Sequence, residues 1–240
     1  MLEERKAVTN NELIERFGIS IETVRRDLAF LEKRGDLKRV YGGAVKNEIS
    51  RKEPLYISRE QKNNDEKQLI AQTAQDFIRQ NDIVFFDLGT TVEIVAKKLD
   101  KNKNIHAFTN AVRTAVILSE KAEEVVLTGG RIRAGELSLS GGISEDNLAK
   151  FNIDKAIIGA GGITETGVSD FIIDEAIFRA RVIENASEVI LIADHTKFGI
   201  RAMCNVCDIS RINILITDEK APKEMLKSIE RKGVRVIVAK

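Results

Sequence analysis

Cysteine is scarce, with two residues in 240, and no charged stretch followed by an apolar one opens the sequence as a secretory signal would. Both facts argue against a disulfide framework, and the expected compartment is the cytoplasm. Apolar runs are short, none approaching the ~20 residues that a membrane helix needs. Net charge is small, +1 overall, so global charge announces no nucleic acid partner. Internal repeats and low-complexity tracts are lacking too. What remains is ordinary globular composition, 43% hydrophobic and 31% charged, with length enough for one small and one medium domain.

The position of the charge says more than its sum. Residues 1–46 hold 10 Lys/Arg against 8 Asp/Glu, and between Ser20 and Lys46 the count is 7 against 4. Thr9 is placed to cap a helix whose Leu13, Ile14 and Phe17 share one side, and Gly18 ends it with the tight turn of a helix-turn-helix. Ser20 is the next N-cap, its hydroxyl facing the N–H of Glu22 or Thr23. In the second helix Val24, Leu28 and Leu31 repeat at i, i+4 and i+7 and face the core. Glu22, Thr23, Arg25 and Arg26 are left on the outer and flanking faces.

Residues near the start of such a helix reach base edges in the major groove, where arginine pairs with guanine or grips phosphate. Gly35 is expected to close the helix. Residues 37–40 and 44–46 then pair as a basic hairpin through Gly42-Gly43, with Lys38, Arg39 and Tyr41 on it. Alone, Arg25-Arg26 reads as a solvated helix face. The glycine turn, serine cap and basic hairpin together favour DNA contact, with Ser20, Glu22, Thr23, Arg25, Arg26, Lys38, Arg39, Tyr41 and Gly42 as candidate residues.

Residues 49–64 are polar and aperiodic, contain Pro54, and read as a linker with a short helix over Tyr56–Gln61. The expected division is therefore a head at 1–48, the linker at 49–64 and a larger domain at 65–240. From residue 65 the pattern alternates. A helix is expected at 65–79, with Leu69, Ile70, Ala74, Phe77 and Ile78 on one stripe. Short apolar runs follow at 83–86, 105–108, 125–127, 156–158, 189–193, 212–216 and 234–238, with helical stretches at 91–99, 111–119, 173–186 and 222–232. Continuous apolar runs between helices mean an α/β domain with a mainly parallel sheet covered on both faces. Such sheets bind ligands in the loops at the carboxyl ends of their strands.

The first of those loops, Asp87-Leu88-Gly89-Thr90-Thr91, leads directly into a helix. Free N–H groups and the helix dipole make this a ready anion site, unless Thr90 merely caps the helix. Other strands end in Thr109-Asn110, Thr128-Gly129-Gly130-Arg131, Gly159-Ala160-Gly161-Gly162 and Asp194-His195-Thr196-Lys197. Each is weak alone, since turns need such residues anyway. Their convergence on one edge points to a polyhydroxylated, phosphorylated ligand.

Three other signals are discounted. The run from Gly159 to Thr164 lacks the last glycine of a dinucleotide fingerprint. Cys204 and Cys207 have metal-binding spacing but no second pair, even with His195 nearby. His106 sits inside an apolar strand. No metal, cofactor or catalytic residue is therefore assigned.

Residues 9–44, above all Val24-Arg25-Arg26-Asp27-Leu28 and Arg39-Val40-Tyr41-Gly42-Gly43-Ala44, resemble the winged helix-turn-helix of the DeoR family of bacterial transcriptional regulators. The strand-end motifs match the same family. The resemblance implies a larger domain similar in fold to ribose-5-phosphate isomerase that binds a sugar phosphate. It implies a phosphate loop of Asp87, Gly89, Thr90 and Thr91, a pocket lined by Asn110, Gly129 and Gly130, contributions from Gly161, Asp170 and Glu175, and a cation at Lys197. Family members usually begin with a full helix packed across the other two, whereas eight residues precede Thr9 here. A trimmed, less stable head with Phe17, Val24 and Leu28 partly uncovered is the expectation.

The reading that follows is a repressor of sugar metabolism genes, a homodimer or homotetramer, whose grip on a DNA operator is set by a phosphorylated sugar. The alternatives are a sugar-phosphate isomerase or transferase using Asp87, Asp170 and Glu175 as acid/base groups, or an effector-binding protein with impaired DNA binding.

Overall fold

The computed structural model describes residues 1, 2, 5, 7–34, 37–46 and 53–240. It divides into two compact units, Met1–Glu53 and Pro54–Lys240. Gly35, expected to close a helix, and the side chain of Lys38 lie outside the described residues.

In the smaller unit, β1 (Ala7–Thr9) leads into α1 (Asn10–Phe17), α2 (Ile21–Arg34) and the hairpin β2 (Leu37–Val40) and β3 (Gly43–Lys46). Thr9 opens α1 with a reciprocal cap. Its hydroxyl accepts the Glu12 N–H at 3.3 Å, and its own N–H donates to the Glu12 carboxylate at 2.7 Å. Gly18 ends α1 at φ +62°. The Ser20 hydroxyl accepts the Thr23 N–H at 3.2 Å and starts α2. Val24 and Leu28 from α2 pack with Val8, Leu37 and Ala44 into the core, with Leu13, Ile14 and Leu31 at its margin.

Phe17 does not join that core. The residue is 60% exposed, uncovered as expected. Val24 and Leu28, expected to be partly uncovered, are buried. β1 was not foreseen as a strand. It pairs antiparallel with β3, Ala7 opposite Val45 and Thr9 opposite Gly43. The hairpin turn falls at Tyr41-Gly42, and Gly43 opens β3 instead of completing the turn.

In the larger unit, α3 (Tyr56–Gln61) and α4 (Asn64–Ala74) precede a regular alternation: β4 (Ile83–Phe86), α5 (Thr90–Lys98), β5 (His106–Thr109), α6 (Val112–Leu118) and β6 (Glu124–Leu127). The hairpin β7 (Arg131–Arg133) and β8 (Ser138–Ser140) follows, then α7 (Gly142–Leu148), β9 (Ile153–Ile158), β10 (Gly162–Ile163), β11 (Gly167–Asp170) and α8 (Ile173–Asn185). The chain ends with β12 (Ala186–Ile192), β13 (Cys204–Asp208), β14 (Ile214–Asp218), α9 (Lys223–Glu230) and β15 (Arg235–Ala239). Residues 54–64, expected within a linker, thus belong to the larger unit.

Seven strands form one parallel sheet in the order β15-β14-β12-β9-β4-β5-β6. Side chains alternate between two apolar layers. Val84, Phe86, Ile190 and Ile192 pack with α4 and α5, while Phe85, Val189 and Leu191 pack with α8 and α9. The chain runs outward from β4 to β6 and then returns to place β9 on the other side of β4. That reversal opens a crevice between the carboxyl ends of β4 and β9.

The short elements β7, β8, α7, β10, β11 and β13 were not legible as separate units. Cys204 and Cys207 lie on β13, whose sheet with β10 and β11 is antiparallel. Burial pushes the Cys207 thiol up to about 11, as befits a thiol packed in an apolar interior.

The approach of β1 to β3 leaves no room for a side chain at 43, since a Cβ there would sit 2.1 Å from the Val8 carbonyl oxygen. Gly43→Ala should destabilise the smaller unit by about 1–3 kcal/mol. Hydrogen exchange on the full chain would then show β1 and β3 amides exposed, with the larger unit unchanged. Unaltered protection of Val8 and Val45 would contradict the packing described.

Candidate functional site

The crevice between β4 and β9 is built on a buried ion cluster. Asp87 ends β4 with its carboxylate buried. Oδ1 accepts the Leu88 N–H at 2.8 Å, and Oδ2 accepts the Gly159 N–H at 3.2 Å and Arg179 Nε at 2.5 Å. Arg179 also donates through Nη1 to Asp170, whose other oxygen accepts the Phe171 N–H at 2.6 Å. Burial pushes the Asp87 carboxyl upward, opposed chiefly by Arg179. Burial equally works against the Arg179 cation, but Asp87 and Asp170 outweigh it and hold the guanidinium above its usual range.

Both oxygens of Asp87 are spent on interior partners, and its residue is 1% exposed. Asp87, expected in a phosphate loop, and Asp170 are thus paired beneath the loops through Arg179.

Above them lies the turn into α5, with Gly89 and Thr91 half-buried and Thr90 8% exposed. Gly89 takes φ +127°, a conformation open to glycine, and serves as N-cap of α5 with no side-chain cap. The possibility that Thr90 is merely the cap is thereby removed. The first N–H groups of α5 and the hydroxyls of Thr90 and Thr91 stand at the point where the strand order reverses, and uncapped helix starts of this kind suit anions.

Neighbouring loops add polar groups without internal partners. Asn110 Oδ1 and Thr128 Oγ1, at the ends of β5 and β6, are buried with no hydrogen bond. Gly129 instead serves packing, its carbonyl accepting the Ser144 hydroxyl of α7. Gly130 stands against Ser140 and Ser144, and Gly161 against the backbone of Asp170.

Glu175, in the first turn of α8, accepts Ser138 Oγ at 2.5 Å and Arg133 Nε at 2.8 Å on one oxygen. Its other oxygen is buried without a hydrogen bond. Burial, opposed by Ser138 and Arg133, raises this carboxyl to about 7.

Several residues missed in the sequence crowd the same edge. Lys67 of α4 is 3% exposed and donates to the Arg59 carbonyl. Burial pushes its amine below the usual lysine range; Asp194 opposes this, and Lys197 and Arg59 add to it. Lys197 thus belongs to a cationic group with Lys67. Its loop is pinned by Asp194, which accepts the Thr196 N–H at 2.9 Å and Asn63 Nδ2 at 3.2 Å. His195 is held by Asp218, Nδ1 to Oδ1 at 3.0 Å.

The short helix α3 lies against this edge. Tyr56 donates to Glu93 of α5 at 2.6 Å, Arg113 of α6 stacks 4.3 Å from the Tyr56 ring centroid, and Arg59 pairs with Glu136 in the β7–β8 turn. A buried lysine in an amphipathic pattern reads as a solvent residue, which is why Lys67 gave no signal.

On the smaller unit, Ser20, Glu22, Arg25 and Arg26 lie exposed along the start of α2, with Thr23 half-buried beside Ser20. Arg39, Tyr41 and Gly42 are exposed on the hairpin, Tyr41 fully so. Arg39 is steadied by Glu32 of α2, its N–H donating at 2.8 Å. This surface has the shape and charge of a reading helix with a wing.

A family model of the DeoR-like helix-turn-helix domain matches residues 1–50, and one of the DeoR C terminal sensor domain matches residues 62–219. The chain belongs to the DeoR family of transcriptional regulators. It is 35% identical to the HTH-type transcriptional regulator GlpR of Haloferax volcanii, over 94% of this chain and 89% of that protein. It is 32% identical to a putative aga operon transcriptional repressor of Escherichia coli O157:H7, over 99% and 90%. The glycerol-3-phosphate regulon repressor of Escherichia coli K12 is 31% identical, over 95% and 90%.

Among solved structures, a probable sor operon regulator from Shigella flexneri aligns with a TM-score of 0.48 at 13% identity, over 69% of this chain and 89% of that one. Ribose 5-phosphate isomerase A from Methanocaldococcus jannaschii aligns with a TM-score of 0.43 at 16% identity, over 57% and 55%. No activity follows from overlaps of that kind.

In this DeoR-family sensor domain the edge is mostly pre-paired, and the raised Glu175 carboxyl predicts a stability that depends on pH. Its carboxyl titrates near 4.5 when unfolded and about 7 when folded. The folded state therefore holds the proton more tightly between those values, and stability falls as pH rises through them. Glu175→Gln should remove that loss. The variant's advantage over the parent in urea unfolding should be absent at pH 4.5 and about 3 kcal/mol at pH 8. A difference that does not vary with pH would contradict a raised carboxyl.

Proposed function

We propose that the sensor domain of this DeoR-family regulator binds a phosphorylated sugar, with the phosphate on the bare start of α5 and the cations Lys67 and Lys197 close by. Binding lowers the affinity of the head for its operator, so the protein acts in the cytoplasm as a repressor relieved by its ligand. One observation carries the reading. A helix N-terminus with no side-chain cap, opened by Gly89 and flanked by two threonines, stands at the switch point of a parallel sheet. β12, which leads to Lys197, lies two strands from β4, roughly 10 Å away at the usual strand spacing, a span that a sugar phosphate covers.

Relatives support the choice of ligand class, since one is a glycerol-3-phosphate regulon repressor and another a lactose phosphotransferase system repressor. An enzymatic reading is disfavoured by the relatives, which are transcriptional regulators, and it loses two of its three would-be acid/base groups, Glu175 being the third. Asp87 and Asp170 are locked onto Arg179, which leaves neither free to move a proton.

The coupling runs by linkage, the ligand preferring the conformation with poor DNA affinity. The α3 helix is suited to transmit it, because it follows the head directly and is fastened to Glu93 and Glu136 at the ligand edge.

Thermal shift against a panel of sugar phosphates and their unphosphorylated parents tests the ligand. One phosphorylated member should raise the melting temperature, by the equivalent of about 2.7 kcal/mol at 100 times its Kd, and its parent sugar should not. Thr91→Ala and Lys197→Ala should keep the fold and the DNA affinity yet lose the response. Ligand affinity unchanged in both variants would remove the site assignment. For the head, Arg25→Ala should weaken operator binding by about 1–3 kcal/mol in an electrophoretic shift at physiological salt. Undiminished binding would displace α2 as the reading helix.

A further inference from the structure

Two acceptors of the candidate site are shut in. Asn110 is 1% exposed and Glu175 2%, yet each keeps a buried side-chain oxygen without a partner. A ligand hydroxyl reaches those oxygens only if something moves. The β7–β8 hairpin touches both residues. The Leu139 N–H donates to the Asn110 carbonyl at 2.7 Å, while Arg133 and Ser138 share one Glu175 oxygen.

The hairpin is attached by polar contacts. Its two strands form a sheet of their own, outside the seven-stranded one. Among the described residues, neither apolar layer of the larger unit takes a side chain from 131–140. Arg131 reaches Asp174 of α8 at 2.7 Å, Arg113 of α6 donates to the Gly135 carbonyl at 3.3 Å, and Glu136 pairs with Arg59 of α3. Near the tip Leu137 takes φ +58°, a left-handed conformation that is costly for a residue with a side chain and persists only where its surroundings enforce it. Part of that enforcement comes from α6, where the Val112 N–H donates to the Leu137 carbonyl at 3.0 Å.

Glycine pairs flank the hairpin, at 129–130 and 141–142. A Cβ at Gly141 or Gly142 would meet nothing within 4 Å, so close packing does not call for glycine at that end. A pivot does, since a few such positions absorb the backbone rotation when a lid moves.

We propose that the β7–β8 hairpin is a hinged cover on the ligand edge, closed in this conformation, which swings about its flanking glycines to admit the ligand. The proposal rests on the reading that a sugar phosphate binds at this edge. The hairpin satisfies Asn110 and Glu175 with a backbone N–H, a hydroxyl and a guanidinium. A sugar's hydroxyls are donors too, so cover and ligand compete for the same two residues. Opening also releases Leu137 from its enforced conformation. Because Glu136 sits in the turn, the swing acts on the Arg59 pair, and ligand entry is thereby joined to the hold on α3.

Native-state hydrogen exchange by ¹⁵N NMR on the full chain tests the motion. The Val112 and Leu139 amides, whose bonds cross between hairpin and body, should exchange roughly 100-fold faster than the bonded amides of Asp87, Thr128 and Ala193 at the same edge. Glu136→Gln should speed the first two at least tenfold and leave the other three unchanged. Access is read separately by iodoacetamide labelling of Asn110→Cys, located by peptide mass spectrometry apart from Cys204 and Cys207. Adding Glu136→Gln should raise that labelling rate at least tenfold. Val112 and Leu139 amides that exchange only together with the sheet, or labelling that Glu136→Gln leaves unchanged, would overturn the cover. Neither readout uses a sugar phosphate, so failure here is distinct from failure of the thermal shift.

Discussion

The larger unit is organised by one buried guanidinium. Arg179 brings together Asp87, 92 residues earlier at the end of β4, and Asp170, nine residues earlier at the end of β11. Buried charges are tolerated only when each is paired and its remaining hydrogen bonds are met, and stranding one of them costs about 3–5 kcal/mol. Here the Leu88, Gly159 and Phe171 N–H groups complete the set. Because the Gly159 bond crosses from β9 to β4, the same carboxylate that neutralises Arg179 also fastens the two loops of the crevice together. The turn at Gly89 and the open start of α5 keep their shape because the layer beneath them cannot shift without breaking this cluster.

Above that layer the edge is occupied by groups of a different kind. Asn110 Oδ1, Thr128 Oγ1 and one Glu175 oxygen are buried and unpartnered. Lys67 is a buried amine in the field of two further cations. Buried polar atoms normally find partners; the unmet amide and carboxylate oxygens can accept hydrogen bonds from a ligand's hydroxyls, which is compatible with the sugar proposed above. α3 crosses the same edge, fastened by Tyr56 and Arg59 to carboxylates of α5 and the β7–β8 turn. A ligand that alters either attachment acts directly on the segment that follows the head.

Much of this was legible in the sequence, for reasons that also explain what was not. The parallel sheet could be read because its strands are apolar on both faces and its helices intervene at regular spacing; β4 and α3 fall on the residues expected for them. The head could be read because Thr9, Gly18 and Ser20 act locally, within three or four residues. Features fixed by distant partners were hidden. Nothing near Asp87 in sequence reveals its partner Arg179. β1 is three residues long and exists only through its pairing with β3. Val24 and Leu28, expected to be partly uncovered, are instead buried in a core that β1 and the hairpin help to close.

The central claim is that the start of α5, together with Lys67 and Lys197, receives the phosphate of a sugar. Amide shift mapping by ¹⁵N NMR during titration with the stabilising sugar phosphate tests it most directly. The account predicts the largest changes at the Gly89, Thr90, Thr91 and Val92 amides, with accompanying changes at Lys67 and Lys197. Largest changes at the opposite edge instead, where a cavity of about 540 Å³ is lined by Arg79, Arg235 and Phe77, with the α5 amides unmoved, would contradict it.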